Sequence, residues 1–165
     1  MRNPPSSEHM VAHAADLLVR VQSFFPRLEA KASVVLGIDT AMLGYLATWS
    51  PQSGHWSWLM LLAVIPILLI ACSLLQLYRC SFPELAGGYE SLQYFQEIAK
   101  RTESKFIADF SAQAGDDLAR DLLGQVWRNS EILTCKYACL KRAYTFCALA
   151  VLPWAVSIGV LAYAG

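Results

Sequence analysis

The sequence predicts an all-α, multi-pass membrane protein with three transmembrane helices and a helical cytoplasmic segment, on three observations. Of its 165 residues, 56% are hydrophobic and only 16% charged, where ordinary soluble domains carry about a quarter. Charge is nearly absent from three stretches, each close to the length a bilayer demands. No alternating apolar and polar run of any length signals a strand. The 13 basic side chains balance 13 acidic ones, which leaves no excess for neutralising phosphates, so no nucleic-acid partner is expected.

The first element, residues 1–31, reads as a cytoplasmic amphipathic helix: Val11, Ala15, Leu18, Val21, Phe25 and Leu28 recur at steps of three and four, with a bend expected at Pro26. Residues 32–49 form the first span, apolar or small except for Asp39. An outer loop follows at 50–55. The second span, 56–78, is 23 residues without Asp, Glu, Lys or Arg. At about 1.5 Å of rise per residue this is roughly 34 Å, enough for a hydrocarbon core of about 30 Å. Residues 79–142 return to the cytoplasm as a helical segment. Leu118, Leu122, Val126, Leu133, Tyr137 and Leu140 recur there after the acidic helix start Asp116-Asp117. With no Pro or Gly from Gln125 to Leu152, one helix is expected to continue into the third span, 143–165.

Flanking charge sets the orientation. Arg2, Arg20, Arg27 and Lys31 precede the first span, the other nine basic residues lie between Arg79 and Arg142, and the loop 50–55 has none. The positive-inside rule then puts the N-terminus in the cytoplasm and the C-terminus outside, with Trp49, Trp56 and Trp58 at the outer headgroup level. No compact apolar h-region precedes the first span, so that span is expected to serve as the anchor.

Catalysis finds no support: GxSxG, GxxxxGK[ST] and Rossmann glycine patterns are absent, as are paired intramembrane acids or histidines. No enzyme activity, cofactor or metal is expected. His9 and His13 stand four apart without the Glu of HExxH, and Cys135 and Cys139 lack CxxC spacing. Cys72 and Cys147 read as small apolar residues within spans. Asp39 is the costly group within a span; it is either a pore-lining or gating carboxyl or a residue protonated or hydrated near the interface. Ser33, Gly37 and Ala41 on the same helix make a small-xxx-small face for packing within the chain or between chains. Near the third span, Arg128, Asn129, Lys136 and Tyr137 are the residue types that bind a small anionic ligand with an aromatic ring. The alternative is that these cations only meet headgroups.

Lys31-Ala32-Ser33 opens a span. Tyr94-Phe95 and Ile98-Ala99 follow, then Asp117-Leu118 through Asp121-Leu122, Gln125, Asn129-Ser130, Ile132 and Lys136-Tyr137, leading into a last hydrophobic segment. In this order, over about residues 28–160, the chain resembles the Pycsar effector transmembrane family. The resemblance implies a bacterial antiphage effector in the inner membrane. A partner pyrimidine cyclase makes cyclic CMP or cyclic UMP, residues 79–142 act as sensor, and membrane damage arrests the infected cell. Ligand gating then sets a magnitude: moving an equilibrium from 1:99 to 99:1 takes about 5.5 kcal/mol, whereas a hundredfold preference supplies about 2.7. At least two coupled sites, hence a homo-oligomer, are expected. The competing readings are a non-enzymatic accessory subunit of a larger membrane complex, with its amphipathic helices as docking faces, and a constitutive small channel.

Overall fold

The computed structural model describes residues 6–48, 59–82 and 91–164. The outer loop 50–55, the three tryptophans beside it, and the Gly87-Gly88 turn lie outside the described residues. Six helices account for most of the rest: α1 (Ser7–Gln22), α2 (Phe24–Ala47), α3 (Leu59–Ser81), α4 (Phe95–Ala99), α5 (Glu103–Ala112) and α6 (Gly115–Ala164). The described residues contain no strand. Three helical stretches are long and apolar enough to cross a membrane: Ser7–Ala47, Leu61–Ser81 and Gly115–Val160.

The break between α1 and α2 falls at Ser23, three residues before the bend expected at Pro26. Proline has no N–H to return to the carbonyl four residues earlier, Gln22, so α1 ends there. Within the first turn of α2 that missing donor costs nothing. Ser23 closes α1 by donating its hydroxyl to the Arg20 carbonyl at 2.7 Å and its backbone N–H to the Val19 carbonyl at 3.0 Å.

α6 runs unbroken for 50 residues, about 75 Å at the helical rise. It starts at Gly115 with Asp116 and Asp117 in its first turn, where carboxylates favour the positive end of the helix dipole. It continues through Pro153. Its two parts belong to different compact units: Met1–Pro26 with Glu84–Thr134, and Arg27–Pro83 with Cys135–Gly165.

In the first unit, the N-terminal ends of α1 and α6 meet, since a Cβ on Gly115 would lie 3.4 Å from Ser7. Residues 91–101 are tied to α6 by polar contacts. The Leu92 N–H donates to Asp121 Oδ2 at 2.9 Å, and Gln125 Nε2 donates to Ser91 Oγ at 3.1 Å. Ser91 Oγ also accepts the N–H groups of Gln93 and Tyr94, and the Ser91 carbonyl accepts from the Arg101 guanidinium at 2.9 Å. Thr102 caps α5 by accepting the Lys105 N–H.

The second unit is three packed helices whose inward residues repeat in steps of four and three. They are Leu28, Ala32, Val35, Asp39, Met42 and Leu46 on α2; Pro66, Ile70, Ser73, Leu77 and Cys80 on α3; and Lys136, Leu140, Ala143, Cys147, Ala150, Trp154 and Ser157 on α6. This heptad spacing keeps one seam of each helix facing its neighbours. Side-chain to backbone hydrogen bonds join the seams: Ser73 Oγ to the Ala143 carbonyl at 3.1 Å, Ser157 Oγ to that of Leu62 at 3.0 Å, and Trp154 Nε1 to that of Met42 at 3.0 Å. α3 therefore runs antiparallel to α6, while α2 runs parallel to it.

Candidate functional site

The three-helix unit has an apolar surface and places polar side chains within its largely apolar interior. Leu61, Leu68, Leu149, Leu152, Val156 and Val34 are exposed on its surface, whereas Asp39, Ser73, Ser157 and Lys136 are buried. Water would favour the reverse, and hydrocarbon favours what is seen. Arg27 and Lys31 on α2, Arg79 on α3, and Lys141 and Arg142 on α6 lie on the exposed side of one end of this unit. The Glu29–Lys136 ion pair and the Cys80–Lys136 contact mark that end.

Asp39 sits on the inward seam of α2 with no solvent exposure. Neither carboxyl oxygen has a hydrogen-bond partner among the described residues, and neither does Gln76 Oε1 on α3. The Cys147 thiol of α6 interacts with the Asp39 carboxyl without meeting hydrogen-bond geometry. A buried polar group left unsatisfied costs about 1–3 kcal/mol, more when charged. Asp39 therefore works against the packed arrangement that surrounds it.

The other small-residue positions on α2 face elsewhere. Ser33, Gly37 and Ala41 are all exposed, and a Cβ built on Gly37 or Gly44 meets nothing within 4 Å. Among the described residues nothing packs closely on this face at Gly37. Ser33 turns its hydroxyl to the Glu29 carbonyl at 3.0 Å, on its own helix.

The four residues expected to contact a ligand all lie on α6, in different settings. Arg128 is partly exposed and pairs with Glu131 at 3.4 Å. Asn129 is half-buried, one heptad before Lys136. Lys136 is buried, its ammonium 3.8 Å from Glu29 Oε1, and its carbonyl accepts the Cys80 thiol at 3.5 Å. Tyr137 flanks the seam, half-buried. His9, His13 and Cys135 are exposed, and all five cysteines are free. Among the described residues no three His, Cys, Asp or Glu side chains gather as a metal site would require.

Sequence reasoning missed the anchoring roles of Ser73, Trp154 and Ser157. The available signals were Pro66, which frees the Leu62 carbonyl that Ser157 meets, and Ala150, four residues before Trp154; no local pattern marks Ser73. It also missed Ser91, whose partner Gln125 and the neighbouring Asp121 carry part of the family resemblance through structural contacts.

The Pycsar effector protein domain matches residues 13–163, nearly the full chain. The chain belongs to that family. It is thus a Pycsar antiphage effector, and its three apolar helices make it a membrane protein. Membership implies pairing with a cyclase and signalling by a cyclic nucleotide. Comparison with curated proteins and with solved structures finds no match. The matched region reaches into both compact units and takes in the polar residues of the seam from Glu29 to Ser157.

Proposed function

We propose that this Pycsar effector is a ligand-gated membrane permeabiliser of the bacterial inner membrane, activated by cyclic CMP or cyclic UMP and acting without catalysis, cofactor or metal. The observation that carries the proposal is α6. One unbroken helix bears Lys136 and Tyr137 near its middle and the buried contacts Ala143, Cys147 and Ser157 in its spanning part. Lys136 stands one heptad before Ala143 within the three-helix unit, so a rotation or shift imposed at Lys136 is felt where the spans are hydrogen-bonded together. Arg128 and Lys136 offer cations for a cyclic phosphate, Tyr137 a ring for stacking, and Asn129 an amide for a base edge. A phosphate reaching Lys136 competes with Glu29, so ligand binding breaks an ion pair of the resting state.

The resting spans hold an unsatisfied carboxyl at Asp39. Separating them lets water reach it, which lowers the free energy of opening. One ligand with a hundredfold preference supplies about 2.7 kcal/mol of the roughly 5.5 that a full switch needs. Two coupled copies close that gap, so the effector works as a homo-oligomer, and the exposed Ser33, Gly37 and Ala41 face is where copies meet. The basic end formed by Arg27, Lys31, Arg79, Lys141 and Arg142 faces the cytoplasm, with the C-terminus outward.

Calorimetric titration of the purified protein with cyclic CMP, cyclic UMP and cyclic AMP tests the proposal. Heat of binding from a pyrimidine nucleotide, with none from cyclic AMP, is expected. Silence with both pyrimidine nucleotides would overturn the gating scheme.

A further inference from the structure

Polar side chains recur at successive levels of the three-helix unit and form an interrupted file: between Asp39 and Ser157 the apolar cluster of Met42, Ile70 and Ala150 fills the resting interior. Measured along α6, they occur at the level of Lys136 with Glu29, then Gln76, then Ser73 beside Ala143, then Asp39 beside Cys147, and finally Ser157. The level of Gln76 follows from its place between Ser73 and Cys80 on α3, which meet α6 at Ala143 and Lys136. From Lys136 to Ser157 the helical rise gives about 31 Å, the thickness of the hydrocarbon core.

The outer faces of these helices are mainly apolar. Exposed Thr40 and Thr145 spend their hydroxyls on carbonyls of their own helices, and Leu, Val and Ile predominate around them, with Tyr45, Tyr78 and Tyr144. Within the file, two groups hold oxygens without partners, the Asp39 carboxyl and the Gln76 amide. Unsatisfied oxygens facing inward are what a hydrated or partly dehydrated cation accepts in place of water.

We infer that this file lines the ion path of the open effector and that Asp39 makes the path cation-selective; the inference rests on the permeabilising reading above. Asp39 is the acidic residue of the file away from its basic end. Lys136 does not cancel it: Glu29 meets that ammonium at rest and the ligand's phosphate meets it in the open state, and 11 residues of α6 separate their levels, about 16 Å by the helical rise, twice the Debye length of about 8 Å at physiological salt.

The test is recording from planar bilayers containing the full-length protein, with cyclic CMP or cyclic UMP added under an asymmetric KCl gradient. Wild-type currents are expected to reverse on the potassium side of zero. Asp39→Glu is expected to keep that sign, and Asp39→Asn to bring the potassium-to-chloride permeability ratio close to one. Wild-type currents that reverse at zero or on the chloride side overturn the inference whatever the variants do, and so does an Asp39→Asn protein with undiminished preference. Bilayers that stay silent with both nucleotides overturn the permeabilising reading itself and this inference with it.

Discussion

Ser157 of α6 donates its hydroxyl to the carbonyl of Leu62 on α3 at 3.0 Å, and Leu62 stands four residues before Pro66. That carbonyl would accept an N–H from position 66 in any other residue, and proline has none. In hydrocarbon no water replaces it, so a side chain of the adjacent helix must. The same hydroxyl lies 2.7 Å from the Pro153 carbonyl on its own helix, so its single hydrogen is shared. The proline in one span and the serine in another are thus one device, which allows α3 to carry a break without an orphaned backbone group.

Replacing that serine should expose the dependence. Ser157→Ala is expected to destabilise the packed spans by about 1 kcal/mol, the scale of interhelical hydrogen bonds in membranes. In a Pro66→Ala background, the new N–H at position 66 can bond Leu62 directly, and Ser157→Ala should then have a much smaller effect. Unfolding in mixed micelles of the four proteins of the cycle measures the coupling. Additive effects would mean that Ser157 does not serve the carbonyl freed by Pro66.

Asp39 predicts a mutation that stabilises the protein while impairing it. Valine at this buried seam position removes both unsatisfied oxygens and should stabilise the resting spans by roughly 1–3 kcal/mol. Nucleotide-evoked dye leakage from liposomes should fall, because opening no longer hydrates a carboxyl. A lower midpoint of unfolding than wild type would show that Asp39 does not strain the packing.

The spans were legible in the sequence because charge is excluded from them, and the unbroken course of α6 was legible because no Gly or Pro interrupts Gln125–Leu152. Which residues face inward was less so. Counting apolar side chains selects Ala15, Leu118 and Tyr137, whereas burial is greater at Ala14, Ala119 and Lys136. Hydropathy rewards size, but close helix contact selects small side chains, and a lysine can bury its apolar stem when an acid meets its head. The ion pair between Glu29 and Lys136 joins residues 107 positions apart, a pairing no local pattern announces.

That ion pair makes opposite predictions for its two members. Glu29 is 65% exposed and Lys136 only 9%, so solvent on the carboxylate side limits the pair to about 1 kcal/mol, and Glu29→Gln should lower stability by about that much. As a competitor for the Lys136 ammonium is lost, affinity for the cyclic nucleotide should rise, by up to about fivefold for 1 kcal/mol. Lys136→Met keeps the buried stem and removes the charge, and should weaken binding by roughly tenfold. Calorimetry on both variants decides: equal losses in the two would make the cluster structural and remove Lys136 from the binding site.

Gly37 allows assembly to be separated from folding. Its face of α2, with Ser33 and Ala41, is exposed, and a Cβ there meets nothing within 4 Å. Leucine at this position should therefore leave the unfolding of the single chain within about 0.5 kcal/mol of wild type. A second copy, however, could no longer bring its helix backbone to the short distance that small residues permit. Light scattering in detergent should show the oligomer reduced to monomer, and leakage should disappear even at saturating nucleotide. Leu68→Ala, on the exposed surface of α3, is the control and should preserve both mass and leakage. If Gly37→Leu keeps the mass of wild type, copies meet on another face, and the coupling that the two-site energy demands must run through it.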